Sequence, residues 1–296
     1  MQSAHNLTIR GAMLHNEPMS LHTSLKVGGP ADMFAIPKDT DDLQKLLERL
    51  TEQNIPWLAI GRGYNLLVRD KGIRGAVISL ERFNLVERLG EKNIKAEAGA
   101  ENLTAVRFAQ GHGLGGIGFI SGIPGTVGGA IRMNAGAYGE GILDRTECLT
   151  IVRDSEIRDF CIDELVYGYR YLDLQPGDIV LSAVFRLEKR EAHLTEEEVR
   201  NDLELRRSKH NVGFPSAGSF FRNPAEQTAW RLIDAAGMRG ARVGGAQVSE
   251  VHSNFLVNTG GATTQDFLEL SAMVRNRVFS TSGITLEEEV RIVGEV

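Results

Sequence analysis

The chain is poor in sulfur: two cysteines, Cys148 and Cys161, in 296 residues. Two thiols so few and so far apart give neither a disulfide framework nor metal-ligand spacing, and no metal site is expected. Both fall in strand-like segments, where free cysteine is usually a buried apolar side chain. A reducing cytoplasm fits that reading. No apolar run approaches the roughly 20 residues that span a bilayer. The N-terminal MQSAHNLTIRG lacks the apolar core of a signal peptide. Positive charge is in deficit, with 33 Lys and Arg against 39 Asp and Glu, a net charge of −6. That balance argues against nucleic acid or an anionic membrane as the main partner. Walker A, H-E-x-x-H and G-x-S-x-G motifs are missing, as are internal repeats and low-complexity stretches. What remains is an ordinary globular composition, 42% hydrophobic and 24% charged, long enough for two or three domains.

Glycine is what the chain has in concentration. Ser121 to Gly139, SGIPGTVGGAIRMNAGAYG, holds six glycines and no Asp, Glu or Lys. Glycine loses the most backbone entropy on folding, so this density needs a reason. A linker would be polar, whereas Ile123, Val127, Ile131 and Met133 are apolar. Two readings stay open: a structural glycine corner, or a loop whose backbone N–H groups lie against a phosphate-bearing cofactor. Thr126 and Asn134 could add side-chain hydrogen bonds. A second match, Gly113-x-Gly115-x-x-Gly118, has the dinucleotide spacing but not the strand–turn–helix context that the fingerprint requires. A Rossmann site is rejected there.

Periodicity divides the chain into three parts. Residues 20–80 alternate strand and helix, with an amphipathic helix over 39–54 that turns Leu43, Leu46, Leu47 and Leu50 to one face. WLAIG (57–61) and AVISL (76–80) read as buried strands. Residues 81–190 are mostly strands, interrupted by a short helix near 102–112 and by the glycine loop. Thr195 and Glu198 form a capping box that predicts a helix from 195 to about 210. Further helices are expected near 225–236 and 264–280, then a final strand over 289–293. The expected domains are 1–80, 81–192 and 193–296.

Motifs then accumulate in order: TSLKVGGPADMF (23–34), IGRGYNLLVRDKGIRG (60–75), SGIPGTVGGAIRMNAGAYG (121–139), PSAGSFFRNP (215–224), AGMRGARVGGAQVSEVHSNFLVN (235–258) and LEEEVRIVG (286–294). This set closely resembles the UDP-N-acetylenolpyruvoylglucosamine reductases, flavoenzymes that make UDP-N-acetylmuramate for peptidoglycan. The resemblance runs from about residue 20 to the end. It implies an α+β fold: a two-lobed FAD-binding module of the vanillyl-alcohol-oxidase type, then an α+β substrate-binding domain. It also implies non-covalent FAD, since the glycine loop carries no His or Cys and neither His22 nor His112 lies in a linkage motif.

Site residues follow from the same resemblance. Cofactor contacts are implied at Gly61, Arg62, Gly63, Tyr64 and Asn65, and at Ser121, Gly122, Ile123, Gly125 and Thr126. The same loop adds Gly128, Gly129, Asn134, Ala135 and Gly136. Arg170, Ser219 and Glu289 match the catalytic trio. A hydride added to the enolpyruvyl β-carbon builds negative charge on the conjugated carboxylate, which a fixed guanidinium stabilises. The α-carbon then needs a proton, the task of Ser219, while Glu289 orients or polarises the site. Arg222 and Asn223 are implied as sugar-nucleotide contacts, with Arg239 and His252 at the diphosphate. NADPH is the implied reductant, alternating with the sugar nucleotide at one site because no dinucleotide domain is left over. Only twelve residues separate Arg170 from Ala183, so the family's tyrosine-bearing loop cannot fit and the subtype lacking it is implied.

The sequence departs from the family's usual pattern at three places: Tyr64 stands for serine in GRGYN, Leu172 for serine after Tyr-Arg, and His210-Asn211 for Gln-Pro before PSAG. Two other readings remain. A flavin oxidase on the same module is opposed by PSAGSFFRNP and LEEEVR. A non-catalytic nucleotide-sugar binder is opposed by the joint presence of Arg170, Ser219 and Glu289.

Overall fold

A computed structural model describes residues 7–137, 139–225 and 227–296, with only the backbone of Ala192, Lys209 and His210. Its helices and strands fall into two compact units that interleave along the sequence. The first comprises 1–14, 34–62 and 76–206, the second 15–33, 63–75 and 207–296. The expectation of consecutive segments 1–80, 81–192 and 193–296 thus meets a different partition. The physical reason lies in the second core, where Leu25, Val27 and Leu67 are buried with Phe220, Phe221 and Phe267. Short early segments bury their apolar side chains with the last third of the chain.

In the first unit the helix Thr40–Glu52 opens on Asp39, whose side chain accepts the Asp42 N–H at 3.0 Å. Asp41 and Asp42 in its first turn complement the positive end of the helix. Leu43, Leu46, Leu47 and Leu50 are buried, as the period of the sequence requires. The helix ends on Gln53, before Pro56, and the strand Trp57–Ile60 follows, parallel to Ile73–Ser79 with Ile60 opposite Ser79. The larger element is a five-stranded antiparallel sheet in the order Glu156–Cys161, Thr146–Arg153, Ile179–Arg186, Asn93–Glu97, Val86–Leu89. The short helix Val127–Arg132 packs on its central strand Ile179–Arg186. Leu149, Ile151, Ala183, Phe185, Val127 and Ile131 form the core there.

Two local expectations need correction. The helix expected from Thr195 begins at Ala192 and runs to His210. Thr195 is buried inside it, with its carbonyl accepting the Gln110 side chain at 2.7 Å, so the capping box has the spelling but not the position of a helix start. The cysteines are not two buried thiols: Cys161 is exposed and Cys148 only partly buried. They lie directly opposite each other across the hairpin, Cys148 paired with Cys161, their Sγ atoms 3.7 Å apart. Thirteen residues of sequence separation vanish when a tight turn folds the strand back.

In the second unit four antiparallel strands run in the order Ser216–Ser219, Phe255–Asn258, Ala246–Val248, Arg242–Val243. The helix Thr264–Ser282 packs on Ala246–Val248 and on the helix Ala229–Ala235. It starts on Thr263, which forms a reciprocal capping box with Asp266, and ends on Gly283 in the left-handed region. The last strand, Arg291–Val293, runs parallel to Leu66–Val68 with Ile292 opposite Leu67. Among the described residues, no helix is long and apolar enough to cross a membrane.

Candidate active site

The first unit brings its two glycine-rich segments together. A Cβ on Gly61 would collide with Thr126 Oγ1, so only glycine lets the 60–62 turn close onto the loop at 126. Arg62 pairs with Glu101 at 2.6 Å, and Glu101 forms a bridge with Thr126. Several of the loop's amides are already used inside the protein. Ile123 donates to the Ile120 carbonyl, Val127 to Ala100, and Gly128 to Ala98. The Gly129 N–H reaches Thr126 Oγ1 at 3.4 Å. Within 123–129 the amides of Gly125 and Thr126 are left without a carbonyl acceptor among the described residues, as are those of Gly61 and Arg62. Of the two segments' amides, these four are the ones open to an outside acceptor, rather than the whole glycine run.

Two buried polar atoms flank the same turn. The Ser121 hydroxyl and Asn102 Oδ1 have no partner among the described residues. Asn102 binds the loop through its amide nitrogen, Nδ2 to the Ile123 carbonyl at 3.0 Å, and through its backbone N–H to the Gly125 carbonyl at 3.2 Å. A buried orphan costs on the order of 1–3 kcal/mol unless a ligand satisfies it. Free amides, a close-approach glycine and orphaned buried oxygens fit a large polar cofactor such as FAD. The sequence offered no signal for Asn102, which opens the helix Asn102–Gly111 and looks like an ordinary capping residue.

Further along the loop the side chain of Asn134 is spent on the protein itself. Its Nδ2 donates to the Gly168 carbonyl at 2.8 Å and its Oδ1 accepts the Leu143 N–H at 3.2 Å. Asn134 thus fastens the loop to the segment carrying Arg170. Arg170 completes the link, donating to the carbonyls of Asn134 at 3.4 Å and Gly136 at 3.2 Å. Its guanidinium also lies over the Tyr169 ring, 5.3 Å from the centroid. Arg170 holds φ of +55°, a conformation that costs a bulky residue about 1–3 kcal/mol and that clusters at functional sites. Gly122 lies near the Arg206 side chain, and Ile123 and Ala135 pack against the core.

In the second unit the backbone of Glu289 pairs with the residue that follows Ser219. The carbonyl of Phe220 accepts the Glu289 N–H at 2.8 Å, and Phe221 forms a bridge with Glu288. Gly218 at φ +74° places a bulge between Ser216 and Ser219 where the strand meets Phe255–Asn258. Bulges of this kind are common next to active sites. Asn65 joins them: its side chain donates to the Glu289 carbonyl at 3.0 Å and its own carbonyl accepts the Arg291 N–H at 3.0 Å. Gly63 packs its backbone on the His22 carbonyl, so its glycine answers a packing demand. Asn254 is the residue that sequence reasoning missed. Buried, it accepts the Phe221 N–H at 3.0 Å and donates to the Phe221 carbonyl at 2.8 Å, fixing the Ser219–Arg222 segment.

The sugar-nucleotide residues hold mixed roles. Arg222 has its Nε buried without a partner among the described residues, as a ligand-facing guanidinium would. Asn223 accepts the Ala229 N–H at 3.0 Å, taking over the cap that Thr228 leaves unmade. Arg239 is tied to Asp234 and to the Glu250 carbonyl. His252 stacks on Phe255 at 4.7 Å between ring centroids, and its Nδ1 accepts the Asn254 N–H at 3.3 Å. Burial, chiefly, holds its imidazole below the ordinary histidine range, with the Arg239 charge acting the same way. His252 is therefore a neutral hydrogen-bonding group rather than a second cation. Because the unfolded chain protonates this histidine at a higher pH than the folded one, its contribution to stability is present above about pH 6.5 and is lost as pH falls. His252→Phe should accordingly reduce the difference between urea midpoints measured at about pH 5 and pH 7.5. An unchanged difference would mean that other groups carry it.

The chain is similar to known proteins along nearly its whole length. A family model described as the C-terminal domain of UDP-N-acetylenolpyruvoylglucosamine reductase matches residues 209–293, and an FAD binding domain matches 31–155. The chain is 74% identical over 289 residues to UDP-N-acetylenolpyruvoylglucosamine reductase of Pelobacter propionicus, covering 98% of each. The chain belongs to the UDP-N-acetylenolpyruvoylglucosamine reductase family. The enzyme of that name from Geotalea uraniireducens is 54% identical over 286 residues, covering 97% of this chain and 95% of its own. A crystal structure of the reductase (MurB) from Thermus caldophilus superposes with a TM-score of 0.82 at 33% identity, covering 96% of this chain and 99% of that one.

Departures from the reductase pattern have local explanations. Leu172, where the family usually has serine, is 3% exposed and belongs to the core of the first unit. Tyr64 is 37% exposed and is not among the buried residues of the second core. Asn211 is exposed, and of His210 the backbone alone is described. Between Leu172 and the strand at Ile179 there is only a tight turn, closed by Asp178, whose N–H donates to the Gln175 carbonyl at 3.0 Å. That leaves no room for the tyrosine-bearing loop.

Proposed function

We propose that this chain reduces UDP-N-acetylglucosamine enolpyruvate to UDP-N-acetylmuramate, with FAD as bound cofactor and NADPH as reductant, in the cytoplasm during peptidoglycan synthesis. The observation that supports the site assignment is the hydrogen bond from the Glu289 N–H to the carbonyl of Phe220, the residue after Ser219, beside a bulge at Gly218. FAD, when bound, supplies the two-electron transfer. Gly61, Arg62, Gly125 and Thr126 offer it backbone donors, and Ser121 and Asn102 offer buried polar atoms. Gly63, Tyr64, Asn65, Gly122, Ile123, Gly128, Gly129, Asn134, Ala135 and Gly136 shape the two segments that carry those groups.

The remaining work is done by side chains. Arg170, permanently charged and held by two loop carbonyls, would stabilise the carboxylate on which negative charge develops. Ser219 would deliver a proton to the α-carbon; a serine hydroxyl suffices because the acceptor is a developing carbanion. Glu289, one peptide away, would orient that hydroxyl. Arg222 and Arg239 would bind the diphosphate by charge-assisted hydrogen bonds, with His252 and Asn223 setting their surroundings.

Among the described residues no further dinucleotide-binding domain accompanies the flavin module, so NADPH would use the same site as the sugar nucleotide. Initial rates at several fixed NADPH concentrations should then give parallel double-reciprocal lines. Intersecting lines would require two sites filled at once and would reject the shared site.

A further inference from the structure

We infer that Cys148 and Cys161 form a dithiol exchange site, which a small-molecule disulfide such as oxidised glutathione converts into a cross-strand disulfide. The pairing geometry is set by the turn. Asp154 and Ser155, at φ +52° and +63°, make a two-residue turn whose backbone twist suits a tight hairpin. Arg153 and Glu156 close it, and pairs alternate from there between hydrogen-bonded and open. Cys148 opposite Cys161 falls on an open pair. The Cys161 N–H bears this out, donating to Glu164 Oε2 at 2.6 Å instead of to the facing strand. Open pairs bring Cα atoms to about 4.5 Å, inside the range of about 4.4–6.8 Å that a disulfide spans. The Sγ atoms stand 3.7 Å apart, so closing the bond needs a side-chain rotation and little backbone movement.

Access is equally favourable. Glu156–Cys161 is the edge strand of its sheet, and Cys161 is exposed while Cys148 is partly covered. The hairpin is held in place by Arg153, which pairs with the buried Asp178 at 2.6 Å and lies over Phe160. Burial first, then the neighbouring Cys161 and the charges of Glu147 and Asp159, push the Cys148 thiol up to about 11. The order of events follows. Cys161 Sγ, as thiolate, attacks one sulfur of oxidised glutathione; that S–S bond breaks and one glutathione leaves, taking a proton from water. Cys148 gives its proton to water and attacks Cys161 Sγ, expelling the second glutathione, which is protonated in turn. Two protein thiols are oxidised to one disulfide, and one oxidised glutathione is reduced to two thiols.

The bond would staple the open end of the edge hairpin, immediately before the turn Ile162–Glu164 and the segment leading to Arg170. The test is made on the native flavin-loaded protein, incubated with oxidised glutathione and read by thiol titration and intact mass. Both thiols should disappear together, the mass should fall by two hydrogens with no adduct, and dithiothreitol should restore both. Cys148→Ser should trap one glutathione on Cys161, and Cys161→Ser should react at Cys148 at least about 10-fold more slowly. Native protein that keeps both thiols, or that accumulates glutathione adducts without losing the two hydrogens, would overturn the pair. Equal trapping rates in the two variants would overturn the assigned order of attack.

Discussion

Gly61→Val should yield a colourless protein whose second unit remains folded. The added side chain would collide with Thr126 Oγ1, forcing apart the two segments that carry the free amides of Gly61, Arg62, Gly125 and Thr126. Backbone donors lose an anion when moved by an ångström, since hydrogen bonds weaken steeply beyond about 3.2 Å. The core around Phe220, Phe221 and Phe267 lies in the other unit, so near-ultraviolet circular dichroism of its packed aromatics should persist. Flavin absorbance after gel filtration is the readout. A variant that elutes fully yellow would show that the closure of Gly61 on Thr126 is not what holds the cofactor.

Ser219→Ala should divide the catalytic cycle. Oxidation of NADPH needs no proton from Ser219, so in the absence of the sugar nucleotide NADPH should bleach the flavin absorbance of the variant as fast as that of the parent. Turnover of the enolpyruvyl sugar should slow by a factor of about 10²–10⁴, the usual worth of a positioned acid. Ser219→Cys should recover part of that loss, because a thiol donates a proton and fits the same bulge. The bulge itself depends on Gly218, and the backbone of Phe220 is fixed by Asn254 and Glu289, so the alanine variant keeps its local fold. Equal slowing of both halves would make Ser219 a turn residue and leave the proton donor unassigned.

Much of this was legible in the sequence, for identifiable reasons. The helix Thr40–Glu52 was written in its leucine spacing, a local signal. The strand pair ending at Ile60 and Ser79 was visible as apolar runs bounded by turn residues. The bend before Ser219 needs a glycine, because few other residues adopt the φ of +74° that Gly218 holds. What was not legible depended on long-range pairing. Nothing in a linear reading says that Leu25 and Leu67 bury with Phe220, so the interleaved units could not be drawn. Thr195 and Glu198 spelled a capping box, but the helix starts three residues earlier and buries Thr195 within it.

The glycine loop is the instructive intermediate. Its composition pointed to backbone exposed to a ligand, yet the amides of Val127 and Gly128 are tied to Ala100 and Ala98. Part of the glycine content therefore serves close packing of loop on strand, and the amides open to a ligand are fewer than the composition suggests. Asn102 and Asn254 escaped notice because asparagine carries no periodic signal; their roles appear only through the carbonyls and amides they reach. The facing of Cys148 and Cys161 was hidden for a similar reason, since it depends on a two-residue turn setting the register.

The central claim is that this chain saturates an enolpyruvyl sugar nucleotide at the expense of NADPH. The most direct measurement is an anaerobic incubation of the flavin-loaded protein with NADPH and UDP-N-acetylglucosamine enolpyruvate in deuterated water, read by NADPH absorbance and product mass. One NADPH should disappear per sugar nucleotide, and the product should be UDP-N-acetylmuramate carrying one solvent deuterium at the lactyl α-carbon. NADPH consumption that appears only when oxygen is admitted, with the enolpyruvyl group unchanged, would contradict the account.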